Sequence, residues 1–163
     1  MDSKLELKLK EKYPKILEEM YSDPIHSCMA FGIETDNGFY NLIDILLFNI
    51  QNYCNNISSE NRKVSVIATQ IKSKFATLRF YFDMVCSCNN IENNYDVTDE
   101  EYGIVCDMIH FAESMSEVTC EKCGNVGTTY TIGWHKTLCK QHAIESYGEE
   151  KVENYLMQLN KKN

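Results

Sequence analysis

The pairs Cys120-Glu121-Lys122-Cys123 and Cys139-Lys140-Gln141-His142, fifteen residues apart, constrain this chain more than any other feature. Each pair puts two metal-binding side chains on one tight turn, and Gly124 directly after Cys123 suits such a turn. Three thiolates and an imidazole at this spacing form the donor set of a tetrahedral Zn²⁺ site. Four protein donors close the coordination shell, so the expected ion is structural; a catalytic zinc keeps one position open. His135 lies in the insert and could compete with His142, but it has no partner at pair spacing. A nucleobase deaminase is disfavoured, because no His-x-Glu element precedes the first cysteine pair. Such an ion orders a loop-rich segment that could not bury enough apolar surface alone. Trp134, inside the insert, is expected to pack on it as an apolar lid.

With 163 residues the chain can hold one ordinary core and a small metal-stapled appendage. The expected division is an α+β core over 1–118 and a zinc ribbon or knuckle with a C-terminal helix over 119–163, packed on that core. No apolar run is long enough for a bilayer, and the charged start Met1-Asp2-Ser3-Lys4-Leu5-Glu6 does not resemble a signal peptide. The expected location is a reducing cytoplasm, the host's if the protein is viral, with no membrane partner. Cys28, Cys54, Cys86, Cys88 and Cys106 are then free thiols rather than disulfides.

The formal net charge of −8 argues against broad, salt-driven nucleic-acid binding, which needs a basic surface. Charge is also segregated. No Lys or Arg lies between Lys15 and Arg62, and none lies from Asp83 to Glu121, where ten acidic residues occur. Between these stretches, Arg62, Lys63, Lys72, Lys74 and Arg79 form a basic island without Asp or Glu. An anion would bind there first.

Hydrophobic periodicity predicts a helix, or two short ones, over residues 3–21, with Pro14 opening the second. Ser22-Asp23-Pro24 ends that pattern, and a loop follows to Gly38. A helix from Phe39 to Asn55 carries Phe39, Leu42, Ile43, Leu46, Leu47 and Ile50 on one face. Ile45 and Phe48 widen that face, which predicts a helix buried on most sides. Lys63–Ile71 and Thr77–Phe82 read as strands of a hairpin turning through 72–76, with Leu78, Phe80 and Phe82 facing inward. Asn89–Val97 reads as polar loop. Thr98-Asp99-Glu100-Glu101 is a capping box that opens a helix with Tyr102, Val105, Cys106, Ile109 and Ala112 inward. Two further helical stretches, Ala143–Tyr147 and Val152–Leu159, flank Gly148.

Three blocks resemble a family of small, mostly uncharacterised bacteriophage proteins. Asp36-Asn37-Gly38-Phe39-Tyr40-Asn41-Leu42-Ile43-Asp44 is similar to the stretch that opens their central helix. Ile71-Lys72-Ser73-Lys74-Phe75-Ala76-Thr77-Leu78-Arg79-Phe80-Tyr81 resembles their Lys-x-Lys-Phe-Gly-x-Leu-Arg-Phe-Tyr strand motif, with Ala76 where the family has glycine. Cys120 to His142, with Gly124, Gly133, Trp134, Thr137 and Leu138, is similar to their zinc-binding tail. The resemblance implies a viral origin and an integral zinc, and it carries no established activity. By analogy with small phage accessory proteins it favours interference with host machinery or defences.

Lys72, Lys74, Arg79 and Tyr81 are the candidate ligand-binding residues. On alternating strands Thr77, Arg79 and Tyr81 share one face, so an Arg fork, two ammonium groups, a hydroxyl and a ring could meet around a phosphate or nucleotide. The competing expectation is a solvated face, or cations balancing the acidic helix after Thr98. Cys86-Ser87-Cys88 and His26-Ser27-Cys28 lack the spacing of a closed metal site or a nucleophile–base pair, and His110 reads as a partly buried helical residue.

The leading expectation is a non-enzymatic binding protein that sequesters a small nucleotide-like anion or blocks a host protein. The alternatives are an adaptor or inhibitor of transcription or replication machinery, and a small metal-dependent hydrolase or nuclease. The last needs carboxylates such as Asp83, Asp99 and Glu101 to meet in a cleft. A homo-oligomer is compatible with the first reading.

Overall fold

A computed structural model describes residues 1–25, 27–88 and 96–161. Helix α1 (Ser3–Lys12) starts where the Asp2 carboxylate accepts the Lys4 N–H at 3.0 Å. It stops at Tyr13, and residues 14–20 form turns instead of the expected continuation. Pro14 disfavours the helical conformation at Tyr13, and the Ile16 carbonyl accepts the Ala68 N–H at 2.8 Å instead of serving a further helical turn. The region expected to be loop contains a two-residue strand, β1 (Ile33–Glu34), between 3₁₀ turns at Cys28–Phe31 and Asn37–Phe39. So short a strand carries no readable periodicity. It forms only because β2 (Arg62–Lys74) offers Ile71 and Lys72 for parallel pairing.

Strands β2 and β3 (Thr77–Cys88) make a long antiparallel hairpin, and with β1 they form a sheet in the order β1-β2-β3. Both strands are longer than expected, and the turn is only Phe75-Ala76, with φ of +54° and +68°. Positive φ at both central residues is the type I′ arrangement, which matches the twist of the flanking strands. A bulge at Thr69 interrupts the ladder between Ala68 and Gln70; the Ser27 hydroxyl donates to the Thr69 carbonyl at 3.1 Å. A left-handed alanine costs about 1–2 kcal/mol. Removing the buried Ala76 methyl returns about 0.8 kcal/mol of that. Ala76→Gly is therefore expected to stabilise the protein by up to about 1 kcal/mol, read as a higher urea midpoint.

Helices α2 (Tyr40–Ile57) and α3 (Asp99–Ser116) pack on the sheet and on each other. From α2, Ile43, Leu46, Leu47, Ile50 and Cys54 are buried, together with Phe39 just ahead of it. The expectation that Ile45 and Phe48 widen the buried face is overturned: they are 60% and 50% exposed. The sheet and α3 cover one side of α2 and leave these two outside. In α3 the capping box is present, with Thr98 Oγ1 accepting the Glu101 N–H at 3.2 Å and Glu101 Oε2 accepting the Thr98 N–H at 3.0 Å. The Glu101 carboxylate also takes both arms of the Arg62 fork, at 2.8 and 2.7 Å, tying the helix start to β2. Val105, Ile109 and Ala112 face inward as expected. Tyr102 does not: it is 45% exposed and stacks on Phe82 from outside, with centroids 5.1 Å apart. His110, expected to be partly buried, is exposed. Of the expected loop 89–97, residues 89–95 lie outside the described residues.

Most of the buried apolar side chains among the described residues fall into two clusters. The larger joins α1, α2, the sheet and α3. The smaller holds Cys120, Tyr130, Leu138, Ala143 and Val152, from β4 (Thr128–Tyr130), β5 (Lys136–Leu138), α4 (Lys140–Tyr147), α5 (Glu149–Asn160) and the turn before β4. The mixture of helices and small sheets is α+β. Among the described residues no helix is long and apolar enough to cross a membrane.

Candidate metal centre

Two turns built on local hydrogen bonds aim four donors at one point. In the first, the Gly124 N–H returns to the Cys120 carbonyl at 2.8 Å, the Cys120 N–H reaches the Asn125 carbonyl at 2.7 Å, and Gly124 takes φ +78°. In the second, Cys139 caps α4 and the Ala143 N–H bonds its carbonyl at 2.9 Å, so His142 falls one turn later on the same side. The donor atoms of Cys120, Cys123, Cys139 and His142 all lie within 4.8 Å of one another. His142 Nδ1 is 3.4 Å from Cys120 Sγ and 3.3 Å from Cys139 Sγ, and the Cys123 and Cys139 sulfurs are 3.9 Å apart. These four residues could hold one metal ion.

The electrostatics of the group are uneven. Burial pushes the Cys120 thiol up, but the backbone N–H groups of Cys139, Cys123 and Lys122, with the His142 ring, outweigh it and bring the thiol to about 7. Cys123 is shifted upward: the Asn125 N–H favours its thiolate, and burial and the neighbouring Cys120 and Cys139 thiols overcome that. A bound cation removes this competition by letting all three sulfurs ionise together. On the outer side, Glu145 Oε2 stands 3.9 Å from His142 Nε2, a carboxylate behind the candidate donor ring.

Glu121, between the two cysteines of the first turn, is only 2% exposed. Its carboxylate accepts the Thr137 N–H at 3.2 Å and the Ser73 hydroxyl at 3.1 Å, joining β5 to β2. Burial raises its pKa, opposed by Thr137, Lys136 and Ser73 and reinforced by Asp36. Its carbonyl accepts the Gly38 N–H at 2.7 Å, and Thr137 Oγ1 donates to the Ala76 carbonyl at 3.0 Å. This seam holds the small cluster to the large one, and sequence reasoning missed it. The Asp-Asn-Gly-Phe-Tyr block was the available signal. A Cβ on Gly38 would lie 2.1 Å from the Cys120 carbonyl oxygen, so that block marks where the two clusters' backbones touch.

Trp134 is not the lid expected from the sequence. It is 79% exposed at the β4–β5 tip, while Tyr130 and Leu138 fill the interior it was expected to cover. His135 is exposed beside it and stands outside the donor group.

The hairpin register sets Lys72 directly opposite Arg79, Lys74 opposite Thr77 and Gln70 opposite Tyr81. Lys72 Nζ lies 5.5 Å from the Tyr81 ring centroid and donates to Gln70, whereas Lys74 Nζ lies 5.3 Å from the Phe75 ring. Arg79 is held by Glu113 of α3 at 3.2 Å, and the Thr77 hydroxyl is spent on the Lys74 carbonyl at 3.0 Å. Lys72, Arg79 and Tyr81 thus come together on one face, with the arginine already paired to the acidic helix. Among the described residues Asp83, Asp99 and Glu101 form no metal-holding group, and Glu101 is committed to Arg62. His26 lies outside the described residues; Ser27 Oγ accepts the Met29 N–H at 3.1 Å and so caps a turn. The Cys86 and Cys88 sulfurs are 3.5 Å apart, on one side of β3.

Compared with known proteins, the chain matches no family profile, no curated protein and no solved structure.

Proposed function

We propose that this chain is a non-enzymatic binding protein of the phage-accessory type, with residues 119–163 forming a knuckle locked by one structural Zn²⁺. The observation that carries this reading is the closed donor set. Zinc–sulfur bonds of about 2.3 Å and zinc–nitrogen bonds of about 2.0–2.1 Å imply donor separations of roughly 3.5–3.8 Å in a tetrahedron. Three of the six donor pairs among Cys120, Cys123, Cys139 and His142 stand at 3.3, 3.4 and 3.9 Å, near that shell, and the whole set lies within 4.8 Å. Thiolates with one imidazole select zinc over hard cations. With four protein donors no position is left for an activated water, so the ion supports a fold rather than a reaction.

Its action on the host is to sequester a small nucleotide-like anion, with Lys72, Lys74, Arg79 and Tyr81 as the contact residues. The direct Lys72–Arg79 pairing and the ring beside it support this. The test is thermal stabilisation of the zinc-loaded chain by mononucleotides and cyclic nucleotides in moderate salt. A shift that disappears in Arg79→Ala, with the melting temperature of the free protein retained, is expected. Stabilisation that survives in Arg79→Ala removes these residues from the site. A second reading, blockade of a host protein, is favoured by the exposed Ile45 and Phe48 of α2 and Phe111 and Met115 of α3. Capture of one host protein in moderate salt, lost on Phe111→Glu, would select it.

A further inference from the structure

The two most exposed aromatic side chains near the seam are Trp134, at the β4–β5 tip, and Phe75, at the β2–β3 turn, 79% and 66% exposed. They sit on the hairpin tips of the two different sheets, yet both line one cavity of about 200 Å³ with Gly133 and His135. Both rings keep most of their surface in water, and the Phe75 ring has the Lys74 ammonium 5.3 Å from its centroid, so core packing accounts for little of either. Trp134 also lines a second cavity of about 370 Å³, whose wall includes Ser73, Glu121, Asp36 and Lys136. The two hollows share the indole. One offers ring faces, and the other offers fixed polar groups.

The polar wall has a definite character. Glu121 is 2% exposed and is held in place by Thr137 and Ser73. Asp36 uses Oδ2 on Lys136 at 3.1 Å, and Glu34 adds a third carboxylate to the same hollow. Met1 also lines the hollow, but its terminal ammonium donates to the Ile33 carbonyl at 2.7 Å and lies 3.9 Å from Glu6. Three carboxylates against two ammonium groups that already have partners leave a wall richer in acceptors than in free cations, which disfavours phosphate. An aromatic lip over an acceptor-rich wall suits a flat heteroaromatic ring that carries N–H and O–H donors.

We infer that the cleft between Trp134 and Phe75 is a binding site for a neutral nucleoside, its base stacked on the two rings and its donors directed to the acceptor wall at Asp36 and Glu34. The inference rests on the reading of the chain as a small-molecule-binding protein, but it places ring recognition at the seam and not on the Lys72–Arg79 face. The same ring chemistry could come from single-stranded nucleic acid, which the net charge of −8 disfavours.

Trp134 is the only tryptophan in the chain, so its fluorescence reports on this cleft alone. The zinc-loaded full chain is titrated with adenosine, with adenosine 5′-monophosphate and with a short single-stranded oligonucleotide, in moderate salt. Expected is saturable quenching by adenosine, with the monophosphate binding no more tightly. Phe75→Ala should weaken adenosine by about tenfold, the scale of one lost stacking partner, and Arg79→Ala should leave it unchanged. Trp134→Ala, followed by thermal stabilisation, should abolish the adenosine response and guards against a Phe75 variant that fails to fold. Absence of saturable quenching by adenosine overturns the inference, as does a Phe75→Ala protein that binds like the parent. A response to the monophosphate alone, removed by Arg79→Ala and untouched by Phe75→Ala, overturns it while leaving the sheet-face reading standing. Tighter binding of the oligonucleotide than of adenosine overturns the free-nucleoside assignment.

Discussion

Stripping the metal from the zinc-loaded chain with a chelator is expected to unfold residues 119–160 while α1–α3 and the β1-β2-β3 sheet keep their structure. The reason is size. The small cluster has five buried apolar side chains among the described residues, Cys120, Tyr130, Leu138, Ala143 and Val152, and one of these is itself a candidate metal donor. Its strands are three residues each, and α4 has eight residues. Such a unit does not repay its conformational entropy by burial alone. A structural zinc contributes apparent binding free energies of about 10–16 kcal/mol near neutral pH, all of it linked to folding. Cys139→Ser should reproduce the effect, since it removes one of the four candidate donors while serine still suits the N-cap position of α4. Amide spectra with and without chelator are the measurement. Loss of dispersion confined to 119–160 is expected; full dispersion after verified metal removal would refute a structural ion. The sign with pH follows from the thiols: binding requires them ionised, so acid should release the metal and unfold the same segment.

Gly38→Ala is expected to destabilise the protein by about 3 kcal/mol or more, because an overpacked contact and a lost buried hydrogen bond combine. The added Cβ would lie 2.1 Å from the Cys120 carbonyl oxygen and 2.5 Å from that of Glu121. Both are backbone atoms, held by the first of the two donor-bearing turns, so no side chain can swing away. Moving the turn breaks the Gly38 N–H bond to Glu121, which is 2.7 Å, and disturbs Gly124, whose Cβ position is 3.0 Å from the Gly38 carbonyl oxygen. Urea unfolding measures the cost. Gly103→Ala is the control: nothing lies within 4 Å of a Cβ there, in the middle of α3, so it should be neutral or stabilising. An unfolding midpoint for Gly38→Ala equal to the parent would show that the two clusters do not depend on this approach.

The parts of this molecule legible in its sequence are those governed by neighbours along the chain. Pair spacing and a glycine after Cys123 are enough to bring donors onto one turn. Thr98 to Glu101 is a cap because both partners lie within one helical turn. Alternation in Thr77–Phe82 sets which side chains face inward, and this sign survives the longer strands observed. Where the notation of apolar and polar residues was ambiguous, packing decided. Ile45 and Phe48 have the same periodicity as core positions, yet only one side of α2 meets the sheet and α3. Pro14 could have begun a helix, but the Ile16 carbonyl is claimed by β2.

By itself, then, the sequence determined the α+β class, the four donors and the cap and hairpin that frame them, because each depends on contacts a few residues apart. Only the tertiary structure decided that Gly38 lies against Cys120, that Arg79 is paired with Glu113, and that Trp134 stands in solvent beside Phe75. Those contacts join residues 34 to 82 positions apart, and no local pattern of side chains specifies which distant surface the chain will close upon.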